Sequence, residues 1–355
     1  MASFSDAEGL IDKADAQVKL GNNDQAIKLY TQALEANPRA AFAFFKRGNV
    51  YVSLNKLRDA LNDYNSAMML DPNFAFAYFK RGSIYLDLRQ FQSSIEDLNN
   101  AIQLNPDFSL AYFKRGCAKQ AIGDIKAAID DYEKCIELNP SYVYAILNRG
   151  NAYFETGNFQ LAINDYSRVI SIAPSEEKAF LSRGIAFGNL KKYKEAVRDY
   201  TSAININPKS LIALNYRGLV HSKLKEFENA IGDFNKVIKI NPNNPDAYNN
   251  RGIANFALKK YDFAIADYNK AIQFNPLSAN IYFNRANAHY NTKQFLEAIT
   301  DYGKALELDP KLAPAAYGRG NANTNLTNFR DAIKDYTLAI TINPKFIQAY
   351  IGRGN

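Results

Sequence analysis

Arginine is the residue whose type and spacing first suggest chemistry. It stands at Arg47, Arg81, Arg115, Arg149, Arg183, Arg217, Arg251, Arg285, Arg319 and Arg353, one every 34 residues. Through Arg319, each is followed sixteen residues later by an aspartate: Asp63, Asp97, Asp131, Asp165, Asp199, Asp233, Asp267, Asp301 and Asp335. Residues 7–40 lack both, with Lys13 at the arginine position and Leu29 at the aspartate position. Two residue types that come and go together within one chain are expected to meet, as a structural ladder of ion pairs within a unit or across to the next. At a half-buried site such a pair adds little over an apolar pair, yet losing one partner costs roughly 3–5 kcal/mol. Its expected gain is register. The competing chemistry is an open arginine row that binds phosphate or carboxylate, which the planar guanidinium fork suits.

The remaining reactive side chains form no constellation. His221 and His289 occupy the same place in their units as Tyr51 and Tyr153 in theirs, and read as core substitutes. Cys117 and Cys135 stand at unrelated places, so neither a disulfide framework nor a zinc site is indicated, and a reducing compartment follows. No nucleophile with a base, metal-spaced cluster or glycine-rich phosphate loop rises above the repeat. The reading is of a protein that is not an enzyme and takes no cofactor.

The elements that position the arginines are legible in Ala41–Phe74. Phe44, Gly48 and Tyr51 make one stripe at helical spacing; Leu57, Ala60, Leu61, Tyr64, Ala67 and Met68 make a second. Asn55 and Lys56 form a polar turn between two amphipathic helices, and Pro72, with Asp71 before it, closes the unit. Proline recurs at the same step from Pro38 to Pro344 without insertion or deletion. Small Gly48 and Ala60 are expected to let the two helix backbones approach. One such hairpin cannot bury its apolar faces alone, so the units must stack as a solenoid.

On these residues the chain resembles the tetratricopeptide repeat (TPR) family, in an Arg-Gly/Asp-Tyr variant. Counting each unit from the residue 31 before its proline, the small residue at position eight is glycine except at Ala14 and Ala286, and positions 20, 24 and 27 read Ala60, Tyr64 and Ala67, or Ala332, Tyr336 and Ala339. The chain departs at position four, where the family's Trp becomes Phe44, Tyr78, Tyr112 or Ile146, and at seven, where Arg replaces Leu. The resemblance implies an all-α, right-handed superhelical solenoid of helix-turn-helix units with a 34-residue period. Within it, residues 1–6 are expected to be a leader, with Ser5 and Glu8 as a capping box. Residues 7–355 form a single array: 7–40 an N-terminal capping repeat, 41–346 nine regular repeats, and 347–355 the start of an incomplete eleventh. The apolar end at Phe346, Ile347 and Tyr350 is expected either to continue in a longer protein or to dock a partner.

The resemblance further implies that first helices line a concave groove through positions two, five, six, nine, twelve and thirteen. Early in the chain these are Phe42, Phe45, Lys46 and Asn49, then Phe76, Phe79 and Lys80, then Leu110, Phe113 and Lys114, then Tyr144, Leu147, Asn148 and Asn151. Farther on they turn amide-rich: Asn215 with Tyr216, Asn249 with Asn250, Phe283 with Asn284 and Asn287, then Asn321. Aromatic surface takes apolar side chains, lysines favour acidic neighbours and amides pair with any peptide backbone. The expected ligand is a protein or peptide segment, acidic and aromatic at one end, although aromatic residues at position five also suit a purely structural trough. The carboxylate clamp for Hsp70 or Hsp90 tails needs Lys at position five, which never occurs here, so those ligands are disfavoured.

Net charge is +7. Lys191, Lys192, Lys225, Lys259, Lys260 and Lys293 all fall between the two stripes of their units, a basic edge that could meet an acidic tail or RNA. Lacking an aromatic platform there, nucleic acid is disfavoured. No apolar run is long enough to insert in a membrane. The leading reading is an intracellular protein-interaction scaffold or adaptor, cytoplasmic or in another reducing compartment. The alternatives are a structural subunit of a large ciliary or organellar assembly, and the substrate-recruiting region of a larger enzyme.

Overall fold

The computed structural model describes residues 4–354, which form twenty-one α-helices and no strand. In each regular repeat a first helix of 13 residues, such as Ala41–Ser53, is followed by a second of 14, such as Leu57–Leu70. The chain divides into two compact units, Met1–Pro174 and Ser175–Asn355. Within each, a first helix packs on its own second helix, and that second helix on the next first helix. From Ala75–Asp87 onward within each unit, consecutive first helices also touch, as Ala75–Asp87 touches Ser109–Ala121, whereas no two consecutive second helices pack to that extent. The first helices therefore line the tighter side of each unit.

The core repeats with the sequence. Ala60, Tyr64 and Ala67 are fully buried, and so are Ala196, Tyr200 and Ala203. Position eight is small for a more specific reason than backbone approach. A methyl group added at Gly48 would stand 2.8 Å from Tyr64 Cε1, and one at Gly252 would stand 2.6 Å from Tyr268 Cε1. The glycine makes room for the buried ring of position 24. At Gly82, where Leu98 replaces tyrosine, the nearest atoms are instead Asp97 Cβ at 3.0 Å and Leu98 Cγ at 3.1 Å.

Two turns join the helices. Between repeats, the Asx side chain at position 31 accepts a bond from the backbone N–H two residues on, as Asp71 does from Asn73 at 3.0 Å and Asn37 from Arg39 at 3.0 Å. Within repeats, position 15 is left-handed throughout: Gly21, Asn55, Arg89, Gly123, Gly157, Lys191, Lys225, Lys259, Lys293 and Thr327 all have φ between 57° and 86°. A side chain with a β-carbon is disfavoured there by about 1 kcal/mol or more. Lys259→Gly should therefore raise stability by about 0.5–1 kcal/mol, read as a shifted urea midpoint; an unchanged or lower midpoint would refute the assignment of strain.

The first helix begins at Phe4, so Ser5 lies inside it and not at its N-cap position; Met1–Ser3 lie outside the described residues.

Candidate peptide-binding face

Each arginine from Arg47 to Arg319 is held by an aspartate of its own repeat, and most of them also by a side chain of the repeat before. In Arg47, Nε donates to Asp63 Oδ2 at 2.9 Å and Nη2 to Oδ1 at 2.8 Å, while Nη1 reaches back to Thr31 Oγ1 at 2.9 Å. The same three-way engagement recurs at Arg81 with Asn65, Arg115 with Asn99, Arg217 with Thr201, Arg251 with Asn235 and Arg285 with Asn269. Arg149, Arg183 and Arg319 also pair with Asp165, Asp199 and Asp335 at 2.6–2.7 Å. The nine aspartates are only 3–5 % exposed. Burial pushes the Asp63 and Asp97 carboxyls up, against the pull of Arg47 and Arg81. Where Nε, Nη1 and Nη2 are all engaged, the guanidinium is committed to the fold.

Position 11 adds a further partner. Lys119 Nζ lies 2.8 Å from Asp131, Asn255 Nδ2 donates to Asp267 at 3.0 Å, and Asn323 Nδ2 donates to Asp335 at 2.9 Å. His221 belongs to this column; it is 9 % exposed, with Nδ1 2.5 Å from Glu226 Oε2. His289 is half-buried, with Nδ1 2.5 Å from Gln294 Oε1. The thiols are equally quiet: burial pushes Cys135 up to about 11 and raises Cys117 as well. Among the described residues no three His, Cys, Asp or Glu side chains could hold a metal ion.

The first-helix face of residues 1–174 is aromatic, but its aromatics are of two kinds. Position five is packed inward: Phe45 and Phe79 lie tilted against Phe74 and Phe108, and Phe113 meets Tyr142 edge-on, with centroids 4.8, 4.5 and 5.1 Å apart, and Phe79 is only 9 % exposed. Leu147 is buried too. Position two is open: Phe42, Phe76, Leu110 and Tyr144 are 53, 51, 39 and 60 % exposed. One turn on, Lys46 is paired with Asp15 and lies over the Phe42 ring at 4.6 Å. Lys80 and Lys114 are half-buried beside the row.

The asparagines divide in the same way. Asn49, Asn151, Asn287 and Asn321 accept, through Oδ1, the hydroxyls of buried Tyr64, Tyr166, Tyr302 and Tyr336 at 2.6–2.9 Å. These bonds use only the amide oxygens, not the Nδ2 donors. Asn148 donates to Cys117 Sγ at 3.5 Å, and Asn284 to Asn249 Oδ1 at 3.1 Å; Asn215 and Asn250 are half-buried. In the turns between first and second helices Lys191, Lys192, Lys225, Lys259, Lys260 and Lys293 are exposed.

Sequence reasoning passed over two columns. Position 34 supplies Phe74, Phe108 and Tyr142 in residues 1–174 and Phe346, against Tyr317, later on, but in between Ser210 and Asn244, which cap helices by accepting from Ala213 and Ala247 N–H groups. Position 25, the backward partner of arginine, reads Thr31, Asn65, Asn99, Glu133, Ser167, Thr201, Asn235, Asn269, Gly303 and Thr337, short and able to accept in all but Glu133 and Gly303. That run of short side chains able to accept a hydrogen bond was the available signal.

Family models of the tetratricopeptide repeat match residues 143–176, 245–276, 279–312, 75–108, 177–210 and 313–346, and TPR-repeat models match 14–55, 48–89, 120–157 and 222–259. The chain belongs to the tetratricopeptide repeat family, whose fold is typical of protein-interaction scaffolds. Among solved structures it is similar to a tetratricopeptide repeat protein from Parabacteroides merdae, with 20% identity over 70% of this chain and 98% of that one, and a TM-score of 0.51. MamA is 26% identical over 47% of this chain and 91% of its own, TM-score 0.46. YrrB, described as a TPR protein with an unusual peptide-binding site, is 23% identical over 55% and 97%, TM-score 0.48. No curated protein matches the chain. No helix among the described residues is long and apolar enough to cross a membrane.

Proposed function

We propose that the protein is a non-catalytic scaffold that holds a segment of a partner protein along its first-helix face, with an acidic and apolar part of that segment on residues 1–174. The observation that carries this reading is the open row Phe42, Phe76, Leu110 and Tyr144 with Lys80 and Lys114 alongside. Exposed aromatic surface bordered by charge is characteristic of interaction sites. Asn49 and Asn151 add amide donors whose acceptor ends are already committed to Tyr64 and Tyr166. On this reading the position-five rings serve packing, and the binding contacts are at position two.

A second reading, a structural piece of a large assembly, is favoured by Phe263 and Leu296, which are 68 and 67 % exposed on second helices of neighbouring repeats. One experiment separates the two. The full chain is used as bait in native lysate with quantitative mass spectrometry, alongside Phe76→Ser with Tyr144→Ser, and separately Phe263→Ser with Leu296→Ser, after circular dichroism establishes that each is folded. The scaffold reading expects a small, coherent set of proteins to be lost with the first pair. Loss with the second pair alone would favour the assembly reading, and an unchanged set with the first pair would refute the first-helix face as the site.

A further inference from the structure

The proposed face can be assigned a ligand conformation, an inference that rests on the scaffold reading above. Phe42, Phe76, Leu110 and Tyr144 are the same position on four consecutive first helices, so a ligand crossing those helices meets one apolar side chain per repeat. Helices in contact have axes about 8–10 Å apart, and the first helices that carry Phe76, Leu110 and Tyr144 do touch. A β-strand returns to the same face every ~6.7 Å, and an α-helix returns every ~5.4 Å; both fall out of step with the row. A polyproline II helix, with three residues per turn and ~3.1 Å rise, returns every ~9.3 Å. It alone among these places an apolar side chain over each successive helix with every turn of its own.

The charge on the face agrees. Lys80 and Lys114 follow Phe76 and Leu110 by four residues, hence on the same helix faces, and form a second row parallel to the first. Lys46, at the start of that row, is already neutralised by Asp15. We infer that the face of residues 1–174 binds an acidic, proline-rich segment in the polyproline II conformation, with every third residue apolar and resting on the aromatic row and carboxylates directed to Lys80 and Lys114. Aromatic-lined grooves suit such segments because the ligand is extended before it binds and loses little entropy on docking.

The test is fluorescence anisotropy with the full chain and a labelled peptide of repeated Pro-Pro-Glu triplets. Comparators are a Pro-Pro-Lys peptide and an alanine-rich helical peptide carrying the same number of glutamates. The triplet peptide should bind tighter than either, and Phe76→Ala with Tyr144→Ala should weaken it by about tenfold or more. Both side chains are more than half exposed but also lie against Phe108 and Tyr142, so circular dichroism first establishes that the variant is folded. Equal or tighter binding of the helical peptide, no binding of the triplet peptide, or affinity unchanged in the variant would overturn the inference. If the triplet peptide fails while Phe76→Ser with Tyr144→Ser still strips partners from the lysate bait, the ligand conformation is wrong and the scaffold reading survives; if both fail, both fall.

Discussion

Arg81→Ala should destabilise the protein by about 3–5 kcal/mol at neutral pH, the largest effect expected of any single substitution considered. Asp97, 3 % exposed, would keep its burial and lose Nε and Nη2 of Arg81, which donate to it at 2.7 and 2.6 Å. The same change frees Asn65, held by Nη1 at 2.5 Å. The sign of the pH dependence follows from Asp97 itself. Burial already raises its carboxyl above the usual range, with Arg81 pulling down; without Arg81 it moves higher still. A carboxyl raised in the folded state binds its proton more tightly than in the unfolded chain, so its contribution is fully present below the unfolded value of about 4 and is lost as pH rises through the folded value. The deficit of the variant should shrink as pH falls from 7 toward 4.5, and Asp97→Asn in the Arg81→Ala background should abolish that recovery. Urea denaturation at both pH values, with hydrogen exchange over residues 75–108, reads it. A deficit below about 1 kcal/mol, or one independent of pH, would mean that the carboxylate is not the source of the penalty.

Gly318→Ala should be the next most damaging change. Tyr302 is the one regular tyrosine of its column whose repeat has alanine, Ala286, at position eight. Its ring lies against Gly318, at position six of the next repeat, where an added methyl would stand 2.5 Å from Cζ and 2.8 Å from Cε1, closer than the 2.9 Å at which Tyr336 would meet one at Gly352. Earlier repeats carry side chains at position six, among them Lys80, Asn148 and Asn284. Overpacking a 2 % exposed ring costs about 1–3 kcal/mol, of which alanine's better helix propensity returns up to about 1. Ala286→Gly should rescue Gly318→Ala by letting the ring move back to the place its counterparts occupy. Thermal melts of the two single variants and the double form a cycle; simple additivity would show that the two positions do not share one ring.

How much of this was legible follows from how far each feature depends on geometry between helices. The 34-residue beat, the paired stripes and the closing prolines are local, and they prescribe helix pairs in one register. The left-handed position 15 was also readable, because Gly21, Gly123 and Gly157 mark it in three repeats, yet the lysines beside them in other repeats drew attention as charge. The site was less legible. Nothing local says that Phe79 turns inward while Phe76 stays open, since both lie on the same helix and both reach Phe108, 29 and 32 residues away, yet only Phe79 is buried. Nor does the sequence say that Asn49 and Asn287 spend their oxygens on Tyr64 and Tyr302, 15 residues on. The backward reach of arginine to position 25 crosses a repeat boundary and becomes visible only when both helices are placed.

That backward reach also has a mechanical meaning. Where an arginine also reaches its predecessor, as Arg217, Arg251 and Arg285 do, the bond stitches neighbouring repeats as well as bracing its own, so tension is shared rung by rung. The stitching is thinnest before Arg319, where the predecessor at position 25 is Gly303, with no side chain to accept the Nη1 proton. Pulled from its ends, residues 175–355 would yield there first, and their other rungs would stay closed behind the opened seam.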